Sequence, residues 1–129
     1  MLVVDASVIA PFVADGGPDG NLVRSRLRGE MIAAPDLLRI EVVSAIRRQT
    51  AAGLLTPTQA SQAIDDLLDL PVVVHPTASL LRRTWMLRDN LTPYDACYVA
   101  LAEALDCSLL TSDLRLAGAS GTRCEVETI

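Results

Sequence analysis

Short apolar runs alternate with amphipathic stretches along the whole chain. "LVV" (2–4), "MIAA" (31–34), "VVV" (72–74) and "SLLT" (108–111) are runs of three or four residues without polar alternation. Such runs predict short strands buried on both faces. "CEVET" (124–128) reads as a last edge strand. The segments between them carry a helical period: "ASVIAPFVA" after the first strand, then 20–29, 35–53, 56–70, 77–90 and 93–105, with "DLRLAG" as a helical turn. Thr56 and Pro57 form an N-cap and first-turn pair, and Gly53 ends the helix before them. Ala60, Ala63, Ile64, Leu67 and Leu68 then make one apolar stripe. Short buried strands alternating with helices predict a mainly parallel sheet covered on both faces. With right-handed crossovers this is an α/β fold, a three-layer α/β/α sandwich. One domain over residues 1–129 is expected.

Composition narrows the core and the chemistry. Half of the 129 residues are hydrophobic, but the aromatics are one Trp, two Tyr and one Phe, so the core is expected to be aliphatic. No apolar run approaches the roughly 20 residues that span a membrane. The apolar start "MLVVDASVIAPFV" has no basic residue before it, which argues against a signal peptide. Cys97, Cys107 and Cys124 are odd in number and form no C-x-x-C pair, so they read as reduced thiols of a cytoplasmic protein. The single histidine, His75, cannot build a multi-histidine zinc site, and it reads as an ordinary strand-end residue. The net charge of −5 argues at first sight against a nucleic-acid partner. All eleven basic residues are arginine, however, whose planar fork suits phosphate. Acids that hold a metal are also not free surface charge.

The positions of four acids change the picture. In parallel α/β sheets, sites form outside the carboxyl ends of the strands. Asp5 directly follows "LVV", and Asp113 lies two residues after "SLLT". Asp95 opens the helix 93–105 that returns the chain to the start of "SLLT". Its own start therefore lies near the same rim. There Thr92 is the expected N-cap, Pro93 the first helical residue and Asp95 the acid of a Thr-x-x-Asp capping box. Glu41 lies near the start of helix 35–53, with Leu37 and Ala45 one turn away on either side. Each acid alone is explained by a cap or an ion pair. Four converging like charges are not, because they destabilise a fold unless a proton or cation answers them. Carboxylates without histidine or thiolate suit a hard cation, Mg2+ or Mn2+. A cation there suits phosphodiester hydrolysis: it acidifies water and offsets charge on the phosphorane and leaving oxygen.

The motifs "VVDASV", "LLRIEVVSAIRR", "TPYDACYVALAEAL" and "LLTSDLRL" resemble the acidic motifs of PIN-domain nucleases. Length and motif order are similar to the single-domain VapC toxins of bacterial toxin–antitoxin pairs, over essentially the whole chain. The resemblance implies a PIN-like fold and a Mg2+-dependent endoribonuclease with Asp5, Glu41, Asp95 and Asp113 as its acidic quartet. Asp5, Asp95 and Asp113 would be direct metal ligands and Glu41 a ligand through water. Ser7 and Ser112 match supporting positions beside the acids, although Ser112 stands where the family often has Asn. The resemblance further implies an RNA substrate, a VapB-like antitoxin lying over the site, and a homodimer or toxin–antitoxin hetero-oligomer.

Two other classes compete. Phosphate-accepting receiver domains and haloacid-dehalogenase phosphatases also cluster acids on a parallel sheet, but they need a lysine near the phosphate, and this chain has none. A catalytically silent interaction domain on the same fold is the second. For contacts to RNA the arginine clusters are Arg24, Arg26 and Arg28; Arg47 and Arg48; and Arg82, Arg83 and Arg88. They would position phosphates without reading bases. So few aromatics disfavour recognition by base stacking.

Overall fold

A computed structural model describes residues 1–129. Five strands form one sheet: β1 (Leu2–Val4), β2 (Ile32–Pro35), β3 (Val72–His75), β4 (Leu109–Thr111) and β5 (Val126–Thr128). Their order is β3-β2-β1-β4-β5, and every neighbouring pair is parallel. The expected edge strand thus exists, and it is parallel like the rest. Register sets the pairs Val3↔Ala33, Val3↔Leu109 and Leu109↔Val126. The central strands β1, β2 and β4 are buried at every residue, as their continuous apolar runs require.

Seven helices flank the sheet: α1 (Ala6–Ala14), α2 (Pro18–Leu27), α3 (Leu38–Ala51), α4 (Pro57–Asp69), α5 (Leu81–Met86), α6 (Pro93–Leu105) and α7 (Leu114–Ala117). α1 packs on α2, α3 and α4, whereas α5 packs on α6 and α6 lies against β1, β2 and β4. This is the α/β/α sandwich that the alternating pattern predicts. The core is aliphatic apart from one ring, Tyr98 on α6. No helix is long and apolar enough to cross a membrane.

Three elements differ from the sequence pattern. Pro35 ends β2 instead of opening a helix, so α3 begins at Leu38. Pro18 takes the first helical position of α2 behind Gly17, which moves that helix two residues earlier than expected. The stretch 77–90 is not one helix. A 3₁₀ turn (Ala78–Leu80) leads into the short α5, and i→i+3 bonds from Leu87, Arg88 and Asn90 then unwind it. The Asn90 amide donates to the Ser120 carbonyl at 3.1 Å, pulling this end toward the loop after α7. His75 closes β3, as expected.

Candidate active site: an acidic rim at the carboxyl edge of the sheet

Asp5 follows β1 and is 5% exposed. It stands at the N-cap of α1, yet its carboxylate makes no capping bond. Its two oxygens are taken by hydroxyls instead. Ser7 Oγ donates to Oδ1 and Thr111 Oγ1 donates to Oδ2, each at 2.5 Å. Both hydroxyls then accept a backbone N–H from the turn after β4: Ser112 N to Ser7 Oγ at 2.9 Å, and Asp113 N to Thr111 Oγ1 at 3.0 Å. The Ser112 hydroxyl adds a bond to the Ser7 carbonyl at 3.1 Å. The ends of β1 and β4 are therefore stitched together around one carboxylate. Ser7 and Ser112 sit in that stitch, at supporting positions.

Glu41, near the start of α3, accepts a 2.6 Å bond from the Tyr98 hydroxyl of α6. Asp95 lies in the first turn of α6. The expected capping box forms only by half: Thr92 Oγ1 accepts from Asp95 N at 3.3 Å, with no return bond from the carboxylate to the Thr92 N–H. At α4, by contrast, Gln59 completes the box with Thr56, at 3.1 and 2.9 Å. Asp is one methylene shorter than the Glu or Gln that reaches back in such a box. Its carboxylate therefore makes no bond to the helix backbone. Asp113 caps α7 through Arg115 N at 2.9 Å, and the Arg115 side chain pairs with it at 3.2 Å.

The four acids feel one another. Burial pushes the Asp5 carboxyl above its ordinary range, the Ser7 and Thr111 bonds pull it back, and the Asp95 charge raises it again. Burial raises Glu41 too, against the Tyr98 bond, with Asp95 and Asp5 adding repulsion. Asp95 is raised by burial and then by Asp113, while Thr92 and Arg115 oppose. Asp113 alone is lowered, by the Arg115 side chain first. Three segments remote in sequence and the helix α6 thus bring Asp5, Glu41, Asp95 and Asp113 to one electrostatically coupled rim.

An all-oxygen donor set under mutual repulsion fits a hard divalent cation. No three of these side chains are gathered tightly enough to grip one ion by themselves. That is compatible with Mg2+, which typically binds through one or two carboxylates and keeps several waters.

Tyr98 and Thr111 were not singled out in the sequence. Tyr98 lies three residues after Asp95, on the same helix face. Thr111 lies two before Asp113. Several arginines proved to be committed elsewhere. Arg24 donates to the Phe12 and Asp15 carbonyls at 3.0 and 2.8 Å. Arg26 pairs with Glu127 and Glu30. Arg83 holds Glu103 and the Gly121 carbonyl. Arg88 stacks on Trp85 at 4.6 Å.

Fold and rim together define a parallel α/β sandwich with an acidic site at the carboxyl edge of its sheet. A profile of the PIN domain matches residues 2–121. The chain is 41% identical to Ribonuclease VapC1 of Mycobacterium tuberculosis over 128 residues, covering 98% of this chain and 96% of that protein. The crystal structure of Mycobacterium tuberculosis VapC20, a Sarcin-Ricin loop cleaving toxin, superposes with TM-score 0.72 at 15% identity, covering 95% of this chain and 96% of the other. The DNA-bound VapBC structure from Salmonella typhimurium gives TM-score 0.72 at 12% identity, covering 98% and 96%. The chain belongs to the PIN-domain family and is one of its VapC-type members.

Proposed function

We propose that this protein is a Mg2+-dependent endoribonuclease that acts as the toxin of a toxin–antitoxin pair in the cytoplasm, with residues 1–129 forming one nuclease domain. The observation that carries the reading is the coupled set of acids around the twice hydrogen-bonded Asp5. Repulsion among carboxylates is a cost that a binding function offsets. The VapC1 relative, named a ribonuclease, supports RNA as the substrate.

Each residue has a role that its surroundings favour. Asp5, Asp95 and Asp113 would hold the ion, one or two of them directly and the remainder through its waters, and Glu41 would act through water. When bound there, the ion supplies Lewis acidity and positive charge to phosphodiester hydrolysis. Ser7 and Thr111 fix the Asp5 carboxylate in one orientation, so little reorganisation is left for the reaction. Tyr98 fixes Glu41 in the same way. The half-free Asp95 and the exposed edge of Asp113 face the approaching backbone. A VapB-like antitoxin would cover this rim; the VapBC structure with the same fold supports a partner of that kind. A homodimer or toxin–antitoxin hetero-oligomer is the expected assembly.

The test is RNA hydrolysis by highly purified protein freed of any antitoxin. Cleavage is expected with Mg2+ or Mn2+ and not with EDTA. Ca2+, with longer and looser coordination, is expected to support little or none. Full cleavage in EDTA would overturn the metal mechanism. No cleavage under any metal would leave a catalytically silent interaction domain.

A further inference from the structure

The acids do not share one hollow: Glu41 lines one cavity, Asp95 and Asp113 line another, the buried Asp5 lines neither, and each cavity carries one arginine. Ser7 and Glu41 line the first, of about 330 Å³, with Arg48 on its wall. Asp95 and Asp113 line the second, of about 200 Å³, with Arg115 on its wall.

Neither guanidinium is committed in the way of Arg24, Arg26 or Arg83. Arg48 Nη1 donates to Ser44 Oγ at 3.0 Å, a neutral and exposed partner one turn earlier on α3. Arg115 meets only Asp113, two residues away, and its side chain is 92% exposed. Exposed pairs of this kind are weak and exchange readily.

We propose that Arg48 and Arg115 are phosphate-holding residues that bracket the acids, so that a single RNA strand crosses the rim from the α3 cavity to the α7 cavity. This rests on the nuclease reading above. An RNA backbone brought to Asp5, Glu41, Asp95 and Asp113 meets negative charge along its path. The chain as a whole is also negative, at −5. The scissile phosphate has the ion at the acids to answer it. Its neighbours on either side need a fixed cation each, and the guanidinium fork matches two phosphate oxygens. Such contacts set register without reading bases. Arg115 does a second thing by moving to a phosphate, since it then releases Asp113 Oδ2, while Oδ1 keeps the backbone N–H of Arg115. Arrival of RNA and availability of Asp113 are thereby linked.

The test is binding of a fluorescein-labelled single-stranded RNA in EDTA, followed by anisotropy across a range of KCl. Arg48→Gln and Arg115→Gln are each expected to weaken binding several-fold. Each should also reduce the slope of log affinity against log salt by about 0.7, the single-strand value per phosphate contact. The double variant should lose about twice that, and Arg48→Lys and Arg115→Lys should restore the slope because the charge remains. Arg123→Gln is the control. Arg123 is exposed and lies beside Cys107 and Ser108, just before β4 and at the opposite edge of the sheet, so its slope should equal the wild type's. Slopes for Arg48→Gln and Arg115→Gln that match Arg123→Gln would overturn the proposal, as would a wild type that binds no RNA at low salt. Wild-type cleavage in Mg2+ tests the nuclease reading separately. Reduced slopes without cleavage would keep the phosphate sites and sink the nuclease; cleavage with unaltered slopes would do the reverse.

Discussion

Tyr98 on α6 donates its hydroxyl to Glu41 Oε1 on α3 across 2.6 Å. The ring is 1% exposed, so its body serves the core while its tip serves the rim. Burial, and then the bond to Glu41, push the phenol pKa far up, so Tyr98 remains a donor at any working pH. Tyr98→Phe removes the hydroxyl and keeps the packing. Loss of a hydrogen bond that leaves a partly buried carboxylate unpaired costs about 1–3 kcal/mol. The same bond is what holds the Glu41 carboxyl down, so in the variant that carboxyl rises further. The deficit should therefore be larger at neutral pH than under acid conditions that protonate Glu41. Denaturant unfolding at two pH values measures this, and an equal deficit at both would mean the bond does not favour the charged form.

Asp5 and Asp113 should respond differently to alanine. Asp5→Ala strips a buried acceptor from two hydroxyls at once and loosens the stitch between β1 and β4. It should lower both stability and cleavage. Asp113 is a quarter exposed, and its structural task is to cap the four-residue α7. Asp113→Ala should cost about 0.5–2 kcal/mol as a lost cap. It should still reduce cleavage by more than about 10²-fold if the carboxylate holds the charge that stabilises the transition state. Circular-dichroism melts alongside single-turnover cleavage separate the two effects. Near-normal turnover in Asp113→Ala would remove that residue from the site.

The parts of the molecule governed by short-range pattern were legible in the sequence. Continuous apolar runs marked β1, β2 and β4 because both faces of those strands are covered. The carboxyl-edge rule then brought Asp5, Asp95 and Asp113 to one rim, and they stand after β1, in the first turn of α6 and after β4. What pattern did not reveal depends on contacts across the chain. Thr111 looked like the end of a strand; only pairing of β1 with β4 puts its hydroxyl on Asp5, 106 residues away. Tyr98 is one residue among many of the largely apolar helix 93–105, and only the packing of α6 against α3 puts its hydroxyl on Glu41. The arginine cluster at 24–28 looked like a patch for phosphate, but Arg24 and Arg26 are spent on carbonyls and carboxylates that no periodicity could pair with them. At the broken end of 77–90, Asn90 likewise bonds to a loop thirty residues later, a contact that no local pattern announces.

The acids also predict how stability varies with pH. Asp5, Glu41 and Asp95 have folded-state pKa values above the ordinary carboxyl range. Between the unfolded value near ~4 and the raised folded value, the native state binds more protons than the unfolded chain, so acidification stabilises it. Asp113, Glu103 and Glu127 are shifted down, so their contribution is present above about pH 4 and is lost as pH falls through their lowered values. The metal-free thermal midpoint should rise as pH is lowered toward the unfolded carboxyl value of ~4, then fall below it. Added Mg2+ should remove the rise, because protons compete with the ion for the same oxygens. A metal-free midpoint that falls steadily from neutral pH toward ~4 would contradict the burial and mutual repulsion that raise these acids.

Asp95 offers the sharpest separation between a helix cap and a metal ligand. The backbone N–H of Asp95 is capped by Thr92, while its own carboxylate makes no return bond. If the carboxylate mattered only to the helix, Asp95→Asn would lose its favourable place at the positive end of α6. That would cost up to about 1 kcal/mol with or without metal, and cleavage would survive. As a member of the rim, Asp95 is instead half-buried, raises the Asp5 and Glu41 carboxyls, and is repelled by Asp113. Neutralising it then relieves three neighbours. The metal-free Asp95→Asn protein should be as stable as the wild type at neutral pH, or more so. It should also lose much of the stabilisation that Mg2+ gives the wild type, since a ligand raises stability only by binding the native state. Thr92→Ala is the matching control: it removes the actual cap, should cost about 1 kcal/mol, and should leave the Mg2+ response intact. Unfolding midpoints against Mg2+ concentration, with RNA cleavage measured on the same samples, decide between the two roles. A destabilised Asp95→Asn protein with a normal Mg2+ response and normal cleavage would reduce Asp95 to a cap. A stabilised, Mg2+-insensitive and inactive one would mean that α6 opens with an acid because the ion is held there.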